Sequence, residues 1–223
     1  RFVNIHDSDR LTFKNIHFFA GSVNFKGTDY LTVEDSKFSF SIDMGLVRKN
    51  AVMGNFHRLT NSIFEYINDG AAWHVDSSAN TIIENVLFQY RDWFPSSGWQ
   101  PHAGYSGQEL PEAEWGVSPG SGNNPNVGDG SWYAPVWRYV TVKDSWTGGI
   151  FAGRGSLVEY SRFENLYDGC DCSGIQRNAY SVIGSTSRYN WIINLPRQNG
   201  IRFDSAAGGH FGEIHHIVSV GNR

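Results

Sequence analysis

An all-β solenoid is the fold this sequence predicts, on three observations. An apolar alternation, a small polar residue and an aromatic three positions later recur along the chain. The blocks are Leu11, Phe13, Asn15, Phe18; Leu31, Val33, Asp35, Phe38; Leu59, Asn61, Phe64; and Ile83, Asn85, Phe88. Measured on the polar residue the steps are 20, 26 and 24 positions, the period of a solenoid coil. The alternation has period two, so each block is a strand with one buried face.

A second, shorter block led by Gly or Ala recurs between these. It reads Gly45-Leu46-Val47, Ala72-Trp73-His74-Val75, Gly149-Ile150-Phe151, Gly174-Ile175-Gln176 and Gly200-Ile201-Arg202-Phe203. Each coil then holds two or three short strands. Asn68-Asp69-Gly70, Asp168-Gly169 and Asn199-Gly200 supply turn chemistry between them. Identical positions stack along the axis, where amides form ladders and aromatics fill the coil.

On these residues the chain resembles the right-handed parallel β-helix proteins of the pectate-lyase-like superfamily. The resemblance covers nearly all of residues 1–223, read as one domain, apart from an insertion at 94–134. It implies an architecture more than an activity, because lyases, hydrolases, epimerases, tailspikes and adhesins share it. The Asn-Thr-Asp, Asp-Asp and Arg-Ile-Lys elements of polygalacturonases are absent. A pectate-lyase set of arginine and calcium-binding aspartates cannot be placed residue by residue.

With 18 basic and 22 acidic residues the net charge is −4, which gives no basic footprint for nucleic acid. No apolar run approaches the roughly 20 residues of a membrane span. Cys170 and Cys172 flank one residue, too close for an unstrained bridge and too few for a zinc set. The chain opens and closes in strand pattern, at Phe2-Val3-Asn4-Ile5 and Ile217-Val218-Ser219-Val220, without polar caps. This reads as part of a longer solenoid, or as ends covered by end-to-end or subunit contacts.

Candidate chemistry lies on the Gly-led strands. With Leu46, Trp73, Ile150, Ile175 and Ile201 inward, the next residue faces out, giving the row Val47, His74, Phe151, Gln176, Arg202. Two positions on come Lys49, Asp76, Gly153, Asn178 and Asp204. His74, Asp76, Gln176 and Asn178 make a polar strip that an extended oligosaccharide can follow. Asp171, Arg177, Arg202 and Asp204 are the catalytic candidates, with Asp168 nearby as a turn former.

Carboxylates about 5 Å apart suit retaining hydrolysis and a wider pair suits inversion, and neighbouring coils offer both. Elimination on a uronate needs the acid group neutralised by a cation or an arginine, and a base such as Lys, His or Arg, for which His74, Arg177 and Arg202 are the candidates. The adjacent His215 and His216 are expected on opposite faces of a strand, away from a shared metal. The insertion carries Trp99, Trp115 and Trp132, either a platform for sugar rings or a minidomain packing its own aromatics.

The expected function is that of an extracellular or cell-surface polysaccharide-acting protein, a lyase or glycoside hydrolase on an anionic polysaccharide. No cofactor is required by the pattern, and calcium is the one ion that the elimination chemistry brings in. The rival expectation is a non-catalytic structural or adhesive β-helix of a filament or fibre.

Overall fold

The computed structural model describes residues 2–20, 22–26, 28–40, 55–67, 74–75, 80–91, 118–119, 135–145, 148–167, 173–178, 183–196, 198–204 and 212–222. What turns the chain into coils is a residue in the left-handed region at each corner. Asn15, Asp35, Asn61, Asn85, Tyr139, Tyr160, Tyr189 and His216 hold φ between 50° and 56° at the first corner. Ala20, Phe40, Tyr66, Tyr90, Asp144, Asn165, Asn194 and Gly221 hold φ between 49° and 69° at the second. Arg10, Tyr30, Phe56, Asn80, Gly155 and Gly184 do the same at the third. Such a residue bends the chain sharply, so most strands of the first two sheets are three residues long and the described coils repeat the same bends.

Between corners the strands stack into parallel sheets, and the chain is a parallel β-helix. The first sheet runs Thr12–Lys14, Thr32–Glu34, Arg58–Thr60, Ile82–Glu84, Val136–Arg138, Leu157–Glu159, Thr186–Arg188 and Glu213–His215. The second runs His17–Phe19, Lys37–Ser39, Ile63–Glu65, Leu87–Gln89, Thr141–Ser145, Arg162–Leu166, Trp191–Ile193 and Val218–Val220. The third side holds Phe2–His6 paired with Ser22–Lys26, His74–Val75 paired with Ser118–Pro119, and the trio Ile150–Phe151, Ser173–Asn178 and Asn199–Asp204.

The expected stacking of the repeat holds. Phe18, Phe38, Phe64 and Phe88 are in register, with ring centroids 4.6, 4.4 and 4.9 Å apart. The last three are fully buried. Phe18 is half-buried, because a coil covers it on one side only. Val33, Leu59, Ile83, Trp137 and Val158 fill the first sheet's inner row.

Corners leave backbone amides facing the interior, and small polar residues meet them. Ser36 N–H donates to Ser62 Oγ (3.2 Å), Val140 N–H to Ser161 Oγ (3.1 Å) and Ser161 N–H to Asn190 Oδ1 (2.9 Å). The Gly-led strands need glycine for a steric reason: a Cβ on Gly174 would stand 2.8 Å from Gly200 O, and one on Gly149 would collide with Gly174 O.

One expectation about the third side needs correcting. Within 94–134, Ser118–Pro119 lies parallel to His74–Val75. His74 therefore neighbours Ser118, not Phe151, along that side. The remainder of 94–134, with Trp99, Trp115 and Trp132, lies outside the described residues, as do Cys170 and Cys172.

Truncating Phe64 to Ala removes the middle ring of the stack and should cost about 3–5 kcal/mol, against about 1 kcal/mol for Asn61→Ala at the exposed corner. Equilibrium denaturation of the two variants checks the ranking.

A buried histidine makes stability depend on pH. His57 is 2% exposed, accepts a hydrogen bond from Leu31 N–H at Nδ1 (3.3 Å), and leaves Nε2 unpartnered. Burial lowers its pKa to about 4, with Asp29 acting weakly the other way. The unfolded chain, titrating near the ordinary 6.5, binds the extra proton first. Stability is therefore full above about pH 6.5, falls as pH drops toward 4, and the loss levels off below that. The full loss is about 3 kcal/mol, and His57→Asn should flatten the slope in thermal melts between pH 7 and 4.

Candidate functional site

The outward residue that ends each first-sheet strand stands just before the first corner. In register these are Lys14, Glu34, Thr60, Glu84, Arg138, Glu159, Arg188 and His215. Charges of opposite sign fall next to each other along the row. Lys14 Nζ lies 3.3 Å from Glu34 and 3.5 Å from Asp35, and Arg58 reaches Glu84 at 3.6 Å. Further along, Glu159 is clamped by Arg138 at 2.6 Å and Arg188 at 2.7 Å. Burial alone would raise the Glu159 pKa, but hydrogen bonds from Arg188 and Arg138 outweigh it and hold the carboxyl below its usual range.

Beside this row the corner residues change character. Asn85 Nδ2 donates to Asn61 Oδ1 at 2.9 Å, an amide ladder. Then come rings: Tyr139 stacks on Tyr160 at 5.4 Å, Tyr160 on Tyr189 at 5.1 Å and Tyr189 on His216 at 4.8 Å. The second corner runs the other way. Phe40, Tyr66 and Tyr90 stack at 4.9 and 5.0 Å, and then Asn194 donates to Asn165 (2.7 Å) and Asn165 to Asp144 (2.8 Å).

The switch at the first corner creates an open ring. Tyr139 is covered on one face by Tyr160, while Asn85, not a ring, precedes it in the ladder. Tyr139 is 52% exposed. Its open face ends a groove of about 630 Å³ on the outer side of the first sheet, where Glu34, Arg58, Thr60, Glu84, Asn61 and Asn85 complete the lining with Thr32. The groove offers a flat apolar wall, two amides, hydroxyls, two carboxylates and a guanidinium. That is the donor and acceptor set, with one stacking face, that a sugar ring uses.

The residues read from the sequence are placed differently. Ile150, Ile175 and Ile201 share one register, Phe151, Gln176 and Arg202 the next, and Asn178 pairs with Asp204. Gln176, expected on the accessible outer face, is 2% exposed, so neighbours cover that face there. Arg177 is 0% exposed and points into the coil, donating to Ser187 Oγ (2.7 Å), Thr186 O (3.3 Å) and Ser156 Oγ (3.4 Å). It shares Ile175's inward side, so it does not face a substrate groove. Burial lowers its pKa to about 10. Arg202 is half-buried. His74, Asn178 and Asp204 are placed by their strands alone, and Asp76 and Asp171 lie outside the described residues.

The two histidines also differ from expectation. The strand ends at His215, and His216 takes the left-handed corner, so the rings converge with Nδ1 atoms 2.6 Å apart. Among the described residues no three His, Cys, Asp or Glu side chains gather as a metal site. No described helix is long and apolar enough to cross a membrane.

Sequence reasoning named Asn61 and Asn85 as ladder residues but missed Glu34, Arg58, Glu84 and Tyr139. The available signal was the position just before the polar corner, charged in coil after coil.

No family model matches the chain, and no curated protein matches it. Among solved structures it is similar to two trypsin-treated variants of QnrB1, described as a plasmid-mediated fluoroquinolone resistance protein. One is 12% identical at a TM-score of 0.22, covering 92% of each chain; the other is 11% identical at 0.20, covering 89% of this chain and 92% of that one. Likeness at this level carries no argument about function.

If Arg177 is an interior residue, Arg177→Met should keep or raise the unfolding midpoint by relieving a buried charge, while Arg177→Ala should cost about 2–5 kcal/mol. Thermal melts of both variants decide it.

Proposed function

We propose that this β-helix is a polysaccharide-acting protein whose first-sheet groove holds a segment of glycan chain. The observation that carries the reading is the open face of Tyr139 at the end of a groove lined by amides, hydroxyls and carboxylates. A sugar ring can lay its C–H face on Tyr139 and exchange hydrogen bonds with Asn61, Asn85 and Thr60. Two carboxylates against one guanidinium suit a neutral chain better than the anionic polysaccharide expected from the sequence.

Hydrolysis is favoured over elimination on the same grounds, since Arg177, a base candidate for elimination, is enclosed. Elimination with calcium remains a proposal for Asp171, Arg202 and Asp204, and it would show as unsaturated products lost on chelation. Membership of the pectate-lyase-like superfamily and an extracellular or cell-surface location are proposed on the coil repeat alone.

Binding is tested by titrating the protein calorimetrically with cellohexaose, xylohexaose, mannohexaose and polygalacturonate. A neutral hexasaccharide should bind, and Tyr139→Ala should weaken it about tenfold, about 1.4 kcal/mol, with the protein still folded at the titration temperature. Failure of all four to bind would favour the structural or adhesive alternative.

A further inference from the structure

We infer that the glycan crosses the solenoid, following the strand Ile82–Glu84 from the stacking face of Tyr139 to a second stacking subsite on Phe56; the inference rests on the glycan-binding reading above. Phe56 stands at the third corner, two residues before the strand Arg58–Thr60, and is 49% exposed. One face of its ring is covered. Tyr30 stacks on it at 5.0 Å with the planes 11° apart, and the Arg10 guanidinium lies over Tyr30, 5.7 Å from the ring centre. The following coil puts Asn80 at this corner, so the ring ladder stops at Phe56. Its other face meets no ring among the described residues.

One coil interrupts both ladders. It runs from Asn80 at the third corner through Ile82–Glu84 to Asn85 at the first. The register of Arg58, Ile82 and Val136 places Phe56 on the coil before it and Tyr139 on the coil after it. Each ring therefore turns its uncovered face toward this same coil, from opposite sides and at opposite ends of one strand. Two exposed asparagines occupy the positions that would continue the ladders, and their shorter side chains leave room outside them for a ring.

Sugar rings fit those two places. A pyranose at each end lays its C–H face on the aromatic face and sets its hydroxyls beside an asparagine amide. Five residues separate Asn80 from Asn85, roughly 16 Å of extended chain, which is beyond a disaccharide and within the reach of a hexasaccharide. Between the ends, Arg58 and Glu84 line the groove and pair at 3.6 Å, so they offer donors and acceptors to the intervening sugars. A chain laid along the axis finds no second platform beside Tyr139. In one direction Tyr160 is stacked on both faces, and in the other stand Asn85 and Asn61.

The test titrates the full chain calorimetrically with cello-, xylo- and manno-oligosaccharides of two and six units. In a series that binds, the hexasaccharide should bind at least tenfold more tightly than the disaccharide. Phe56→Leu, which keeps an apolar side chain and removes the flat face, should weaken the hexasaccharide about fivefold and leave the disaccharide unchanged. Phe56→Trp should keep the hexasaccharide affinity. Proton NMR of the unaltered protein reads the same contact whether or not a variant folds, and the Phe56 ring signals should move when hexasaccharide is added. Equal affinity for the two lengths, or a hexasaccharide that binds without moving the Phe56 signals, overturns the crossing path and leaves the Tyr139 reading standing. Absence of binding by every oligosaccharide overturns both.

Discussion

Everything in this molecule depends on the left-handed corner. Three axial rows of residues with positive φ bend the chain at the same points in each coil, and this keeps the strands parallel and in register. A non-glycine residue pays for that conformation, by about 1 kcal/mol or more. The cost is offset coil by coil, because a corner fixed in one place lets its side chain stack on the corners above and below. Asparagine is the easiest tenant, since its short amide tolerates the backbone and bonds to the next amide in line. Tyrosine is a harder one, held by stacking on the ring of a neighbouring coil.

Ladders of either kind satisfy themselves internally and so expose little chemistry of their own. A ring inside a stack has both faces occupied, and an amide inside a ladder has a donor and an acceptor committed. New surface appears only where one kind of ladder gives way to the other. Both exposed corners change over between the coil of Asn85 and Tyr90 and the coil of Tyr139 and Asp144, in opposite directions. The long insertion separates the same two coils in sequence. The groove sits at this discontinuity, where the face of Tyr139 turned away from Tyr160 meets the shorter side chain of Asn85.

The period, the parallel strands and the buried phenylalanine stack were legible in the sequence because they obey short-range rules: period two within a strand, Asn or Asp at a bend, and an aromatic three residues on. The second half of the first corner was not legible, because Tyr139, Tyr160 and Tyr189 carry no turn signature and occupy the bend only through stacking. Arg177 misled for a related reason. Arginine within a polar run reads as surface, yet alternation from Ile175 turns it inward, where Ser187, Ser156 and the Thr186 carbonyl take its hydrogens. Local composition says which residues are polar, while the phase of the strand says which way they face.

That phase also explains why a site on the first sheet is better defined than one on loops. Glu34, Thr60 and Glu84 are fixed by backbone pairing on both flanks, so their origins cannot drift relative to one another without breaking a parallel ladder. Arg58 and Lys14 add charge from neighbouring positions on the same rigid frame. A coil repeat spaces side chains of one row at multiples of one rung, about 4.8 Å. By placing Thr60 between Glu34 and Glu84, the chain sets the two carboxylates two rungs apart with a hydroxyl between them, so the lining of the groove follows from which rung carries a carboxylate and which a hydroxyl.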